Sequence, residues 1–297
     1  MCAHWRNTSL PYLQIGKRLC RARSVQPPTE LNSLDCGVEK VRTLLASLDG
    51  PKPAGPDGFH PLILKYFTAI ISSAVVDLFN RSMSDGALPS EWKCSVVKPI
   101  PKGGDPRNVD NYRPSSLTSV LAKELENVVK KGLLQLLASK DLLKLAQHGF
   151  MKGRSCITNL LLTRPECLQA LNREKPVDVI YIDSSKACDK VRHVVLLHKL
   201  RARDVCGSLH QWISDFLIGR IWWVQVNDHL TDCESSTSGV RKGTILGSVS
   251  FLIHINKLPQ LLRSPGTLFE DDLKICRVID SPDDCDVIQQ DLNRLSQ

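Results

Sequence analysis

VDVIYID, residues 177–183, is a β-branched and aromatic run ending on a carboxylate, and TLFEDDLKICRVI, residues 267–279, sets apolar arms on either side of an acidic centre. The first predicts a buried strand, the second a hairpin with Glu270, Asp271 and Asp272 at its turn. A single Asp at a strand end, or two Asp in a turn, is also ordinary turn chemistry. Adjacent carboxylates repel, however, and cost stability until a cation or a basic group neutralises them. Strand-end carboxylates on neighbouring strands suit two hard cations about 3.5–4 Å apart, an arrangement that serves phosphoryl transfer. Asp183, Asp271 and Asp272 are the residues that reading needs. Pattern alone leaves both readings open.

Outward from these stretches the second half is a mixture of helix and strand. VVLLHKLRA (194–202) and LHQWISDFLIG (209–219) predict helices, and IWWVQV (221–226) before Asn227-Asp228 predicts one arm of a hairpin. Val287, Ile288, Leu292 and Leu295 give the last segment helical spacing. Upstream, helices are predicted at 34–48, about 62–83, 116–138 and 155–172, with a short strand around Val96–Ile100. PKPAGPDGFHP (51–61), with four prolines and two glycines, predicts a loop. KPIPKGGDPRNVDNYRP (98–114) predicts a basic loop, and residues 1–33 a poorly ordered start.

Composition narrows the class. The 297 residues are 42% hydrophobic and 24% charged, which suits one large globular domain or two small ones. The best apolar stretch, Phe67 to Val76, is too short and too interrupted to span a membrane. The N-terminus has no continuous apolar core of a secretory signal, which points to an intracellular chain, nuclear or cytoplasmic. The 11 cysteines are odd in number and include no CxxC pair. They read as small buried hydrophobes in a reducing compartment rather than a disulfide framework or zinc ribbon, and the Asn-x-Ser/Thr matches at Asn7 and Asn80 as chance. Net charge is +8 and unevenly spread: residues 86–154 hold twelve Lys/Arg against six acids, residues 270–291 eight acids against two bases. A basic half and a compact acidic segment suit a phosphate-rich polymer beside a metal–carboxylate site, or simply solvated charged faces.

Several other features are set aside. His193 and His198 are five residues apart and do not share a helix face as a metal pair would. Ser155-Cys156 has no partnered His in sequence. Trp222-Trp223 fit strand packing better than base stacking. No phosphate-binding loop or dinucleotide fingerprint is present.

Seven ordered blocks then carry a resemblance. GPDG (55–58), LP..WK (88–93), PIPKGGDPRNVDNYRP (99–114), QHGFMKGRSC (147–156), YIDSSKACDKV (181–191), SGVRKGTILG (238–247) and LFEDDLK (268–274) occur in this order. Together they resemble the reverse transcriptase domain of non-LTR retrotransposons, LINE elements of the jockey and chicken-repeat type, over roughly residues 50–297.

The resemblance implies an α+β right-hand polymerase fold with fingers and palm and without a thumb. Residues 1–49 would be an N-terminal extension with one helix, 50–176 the fingers and 177–297 the palm. It further implies RNA-directed DNA polymerase activity: transfer of a deoxynucleotide to a primer 3′-hydroxyl on an RNA template, with two Mg²⁺ (or Mn²⁺) held by Asp183, Asp271 and Asp272. Lys102 and Arg113 match positions that contact the incoming triphosphate, the Arg through its bidentate fork. Cys188, Lys242 and Gly243 match positions lining the nucleotide, and Gly239 and Gly247 belong to the same turn. The chain departs from the pattern at Ser115, Ser184, Cys188, Arg192, Arg241, Lys242, Ser248 and Glu270. Cys188 stands where an aromatic excludes a ribose 2′-hydroxyl, and Glu270 where the residue before the paired aspartates is small. The alternative is a catalytically dead nucleic-acid-binding remnant of such an element.

Overall fold

Apolar spacing at Val38, Val41, Leu44 and Leu45 folds the first helix of the described residues, α1 (Val38–Ala46), whose Val41 and Leu45 are fully buried. The computed structural model describes residues 30–143, 146–151, 153–184, 187–241 and 243–295; the expectation for residues 1–29 and the site position Lys242 lie outside them. The chain leading into α1 is fastened on both sides. Leu31 N–H donates to Asp204 O at 2.9 Å, and the Asn80 side chain exchanges two hydrogen bonds with the Cys36 backbone.

The helix expected at 62–83 is two helices, α2 (Pro61–Tyr66) and α3 (Thr68–Asp85), parted at Phe67. Thr68 Oγ1 donates to the carbonyls of Leu64 and Lys65 there, a local bond that competes with continuous helix. Gly86, at φ +63, ends α3 in the left-handed conformation that glycine adopts without penalty.

Residues 102–111 are the predicted loop, but the two ends of the 98–114 stretch are strand. They belong to an antiparallel hairpin, β1 (Cys94–Pro101) with β2 (Tyr112–Leu117), in register from Val96↔Leu117 to Pro101↔Tyr112. Its three prolines, Pro99, Pro101 and Pro114, hid it. β2 is an edge strand, and β1 pairs with β4 only over Cys94–Val97, so none of the three removes a needed donor.

The remaining elements follow the predicted order, except that the short strand at 234–235 and the helix at 245–255 were not foreseen. They are α4 (Val120–Ser139), α5 (Cys156–Asn172), β3 (Val177–Ile182), α6 (His193–Arg201), α7 (Gly207–Leu217) and β4 (Ile221–Val226). After them come β5 (His229–Leu230), β6 (Glu234–Ser235), α8 (Ile245–Ile255), β7 (Gly266–Phe269), β8 (Asp272–Val278) and α9 (Pro282–Leu295). Ser119 caps α4, and Ser155 with Thr158 forms a reciprocal capping box on α5. Asn227-Asp228 is the two-residue turn of the β4–β5 hairpin, with Asn227 at φ +53.

The result is a mixed α/β architecture with two sheets. One orders β2-β1-β4-β5, with β6 also on β4; the other orders β3-β8-β7, all antiparallel. The larger core lies among α1, α3, α4, α6, α7 and α8, where Phe79, Leu125, Leu196, Trp212 and Val249 are sealed from solvent. Trp212 stacks on Phe216 and donates its indole N–H to Ser82 Oγ at 2.9 Å; truncating such a side chain to Ala costs about 3–5 kcal/mol. A smaller core of Leu268, Leu273 and Ile275 lies under one face of the second sheet, covered by Leu292 and Leu295 of α9.

Two expectations are corrected here. β3 is a half-exposed edge strand, not a buried one: α5 packs on β7 and β8 and leaves Val179 and Tyr181 open. Nor are the cysteines mostly buried. Of those described, Cys36 and Cys276 are buried while Cys156, Cys233 and Cys285 are exposed. Among the described residues, no helix is long and apolar enough to cross a membrane.

Candidate active site

The β7–β8 hairpin pairs Phe269 with Asp272, so Glu270 and Asp271 form its two-residue turn and Asp272 begins β8. On the other side of β8, Ile182 pairs with Leu273. Antiparallel register therefore sets Asp183, the next residue, beside Asp272. Three carboxylates from two distant stretches collect at one end of one sheet. Asp272 feels this: partial burial first, then the neighbouring Asp271 and Asp183, push its carboxyl above the usual range.

Neighbouring chain fixes this turn in place. The backbone of residues 146–148 runs alongside β7, with Leu268 N–H donating to Ala146 O and His148 N–H to Leu268 O, both at 2.8 Å. Gln147, buried, holds Gly149 N–H through its side-chain oxygen at 2.7 Å and reaches Glu270 O through its nitrogen. A Cβ on Gly149 would fall 2.3 Å from Glu270 N, so only glycine lets the two backbones meet.

Beside the hairpin is a cavity of about 320 Å³ whose wall includes Cys188, Arg241, Gly243, Glu270 and Asp271. A second cavity, about 420 Å³, opens on Asp183, Lys190, His254 and Asp271. Asp271 borders both. The turn at 238–247 forms the far wall of the first. Gly239 N–H and Val240 N–H donate to Val191 O and Cys188 O, both at 2.9 Å, and His193 Nε2 meets Gly239 O at 2.8 Å. Gly243, at φ +101, lies so close to β2 that a Cβ would come 2.8 Å from Ser116 O. Arg241 stacks over Trp222 with 5.2 Å to the ring centroid; burial first, then Arg220, pushes its guanidinium down to about 10, and it stays cationic at neutral pH.

The cavity wall is anchored by a residue the sequence reading passed over. Glu126, buried within α4, accepts the N–H groups of Ile245 at 2.7 Å and Leu246 at 3.0 Å, the first turn of α8. Burial pushes its carboxyl up; those two donors and Arg220 pull the other way. The helix N-terminus itself favours the anion. The only trace in sequence is an acid at an inward position between Leu125 and Val129.

Lys102 and Arg113 line neither cavity. Pairing of Ile100 with Arg113, and of Lys102 N–H with Asn111 O, sets both on one face of the exposed β1–β2 ribbon, where Lys98 also lies. Lys102 Nζ donates to Asp110 O at 2.9 Å. Arg113 is three residues along β2 from Ser116, roughly 10 Å from the Gly243 contact.

Residues 100–296 match the family model for reverse transcriptase (RNA-dependent DNA polymerase). The chain belongs to the reverse transcriptase family. It is 26% identical over 257 residues to the RNA-directed DNA polymerase from mobile element jockey of Drosophila melanogaster, covering 84% of this chain and 28% of that protein. Over 226 residues it is 25% identical to the probable RNA-directed DNA polymerase from transposon BS of the same species, 75% of this chain and 24% of the relative. With the transposon TX1 149 kDa protein of Xenopus laevis it shares 26% over 259 residues, 86% of this chain and 20% of the relative. This reverse transcriptase chain thus spans about a quarter of the length of the curated relatives it matches. The matched segment contains Lys102, Arg113, Cys188, Gly243 and all three aspartates.

For a reverse transcriptase the metal question falls on those aspartates. Among the described residues no three His, Cys, Asp or Glu side chains close into a metal-binding group as they stand. The donor set nevertheless fits: hard carboxylate oxygens from Asp183, Asp271 and Asp272 match what Mg²⁺ takes, and a dication would relieve the mutual repulsion felt at Asp272.

Proposed function

We propose that this chain is the polymerising part of a non-LTR retrotransposon reverse transcriptase, adding deoxynucleotides to a primer 3′-hydroxyl on an RNA template. The observation that carries the reading is the meeting of Asp183, Asp271 and Asp272 at one sheet end, beside a cavity walled by Cys188 and Gly243. Residues 50–176 act as fingers and 177–297 as palm. Asp183, Asp271 and Asp272 would hold two Mg²⁺, which when bound would activate the attacking hydroxyl and steady the leaving pyrophosphate.

The rest of the work belongs to the chain itself. Cys188 borders the sugar of the incoming nucleotide, and Gly243 and Gly247 lie in the same cavity wall. Lys102 and Arg113 engage the triphosphate once the β1–β2 ribbon comes over the cavity, Lys as a point charge and Arg through its planar fork. In the reaction a new 3′-O–P bond forms at the α-phosphorus as the bond to pyrophosphate breaks.

Primer extension on an RNA template with Mg²⁺ or Mn²⁺ tests this, with Asp271→Asn/Asp272→Asn as the control. Extension by the parent chain that disappears in the double variant is the expected result. Folded protein that binds template yet never extends a primer would overturn the enzymatic reading and leave a nucleic-acid-binding remnant.

A further inference from the structure

Behind the acidic hairpin, α5 crosses β7 and β8 along a seam of polar contacts. Asn159 donates to Leu268 O at 2.9 Å and accepts from Thr267 Oγ1 at 3.2 Å, and buried Lys274 donates to Thr163 Oγ1. At the end of the seam two thiols touch: Cys167 Sγ of α5 is 3.6 Å from Cys276 Sγ of β8. Cys276 is buried and Cys167 half-buried. The strand that carries Cys276 begins at Asp272.

We propose that Cys167 and Cys276 are an oxidisable dithiol whose cross-link fastens α5 to the strand bearing Asp272. The sulfurs must close by about 1.5 Å to reach bonding distance, a side-chain rotation plus a small shift of α5. The oxidant is a peroxide. Half-buried Cys167 attacks one peroxide oxygen; the O–O bond breaks, Cys167 becomes a sulfenic acid and one water leaves. The Cys276 sulfur then attacks the Cys167 sulfur; the S–S bond forms, the S–O bond breaks and a second water leaves. Two thiols have lost two electrons and two protons, and the peroxide has gained them.

The order of attack follows from the surroundings. Burial first, then Cys167 and Glu166, hold the Cys276 thiol up at about 11, with Lys274 pulling it down. Cys276 is therefore the slower, resolving partner, and Cys167 the one an oxidant meets. The cross-link spans 109 positions of sequence, which strongly restricts the unfolded chain.

The inference does not depend on catalysis, so its test separates from that of the polymerase reading. The reduced full chain is treated with a small excess of hydrogen peroxide, denatured, alkylated and mapped by peptide mass spectrometry. The expected result is a Cys167–Cys276 linked peptide pair, lighter by two hydrogens, lost on reduction and missing in Cys167→Ser. The unfolding midpoint of the oxidised protein should rise by roughly 5 °C or more and fall back with dithiothreitol. Recovery of Cys167 as sulfinic acid, or joined to any other cysteine while Cys276 is alkylated, would overturn the proposal. So would a linked pair that leaves the unfolding midpoint unchanged, since the link would then fasten nothing.

Discussion

At the scale of single residues, two side chains stand at odds with their positions. Glu270 occupies the first turn position of the hairpin at φ +55, a left-handed conformation that costs a side chain with a Cβ about 1–2 kcal/mol. Glu270→Gly should remove most of that strain, offset in part by the freer unfolded chain. We expect a net gain of about 0.5–1 kcal/mol in urea unfolding; a loss would mean the Glu270 side chain contributes more than its backbone costs. Cys188 is the second. Its thiol leaves room in a cavity of about 320 Å³ where the family pattern has an aromatic ring. On the proposed reading, Cys188→Phe should raise the preference for deoxy- over ribonucleotides by tenfold or more in single-nucleotide incorporation. Equal preference in both proteins would remove Cys188 from the sugar-facing wall.

At the scale of elements, the site depends on buried acids that cap chain from elsewhere. Glu126 is the N-terminal cap of α8 although it belongs to α4, because Thr244, the residue in the capping position, turns its hydroxyl to Arg241 O at 2.8 Å. Glu126→Ala should cost about 2 kcal/mol or more, with Glu126→Gln recovering part of it through its remaining carbonyl oxygen, as read by thermal unfolding. Asp291, within α9, does likewise for the chain entering β7: it accepts Arg263 N–H at 2.9 Å and Ser264 N–H at 2.8 Å. Burial alone would raise its carboxyl, but these donors and Arg294 outweigh burial and hold it below the ordinary range. A depressed acid stabilises the fold above its unfolded value and loses that contribution as pH falls through its folded one. Stability should therefore decline on acidification below about pH 4, and less steeply in Asp291→Asn. An identical decline in both would place the acid sensitivity elsewhere. These caps explain what sequence could not show. The β7–β8 hairpin and most of the helices were legible because period and turn residues are local, whereas α8, apolar on nearly every side, was not, and the role of Glu126 is hidden until α8 is seen against α4. β2 was hidden by Pro114, tolerated only because the strand is an edge, and the buried reading of β3 failed because its apolar residues face two ways while only one face is covered.

At the scale of the whole molecule, the charge asymmetry resolves into two different uses. The acidic run at 270–291 is divided: Asp271 and Asp272 stand at the site, while Asp283 and Asp284 lie in the first turn of α9, where the helix N-terminus favours them and Asp284 pairs with Arg277 at 2.7 Å. Part of what looked in sequence like one metal-binding block is therefore helix capping. The basic excess is more coherent. Lys98, Lys102 and Arg113 share one exposed face of the β1–β2 ribbon. The ribbon reaches the cavity wall at the Ser116–Gly243 contact, which sets a cationic arm beside the cavity that Glu270 and Asp271 border. Such an arm should bind single-stranded RNA chiefly through phosphates, releasing about 0.7 counterion per contact. Replacing all three by Ala should flatten the slope of log affinity against log salt by about 2 and weaken binding equally for unrelated template sequences. The three side chains are solvent-exposed and their removal leaves the cores intact, so thermal unfolding should not change. A slope unaltered by the triple substitution would show that template is held elsewhere. A loss confined to particular sequences would show instead that the arm touches bases.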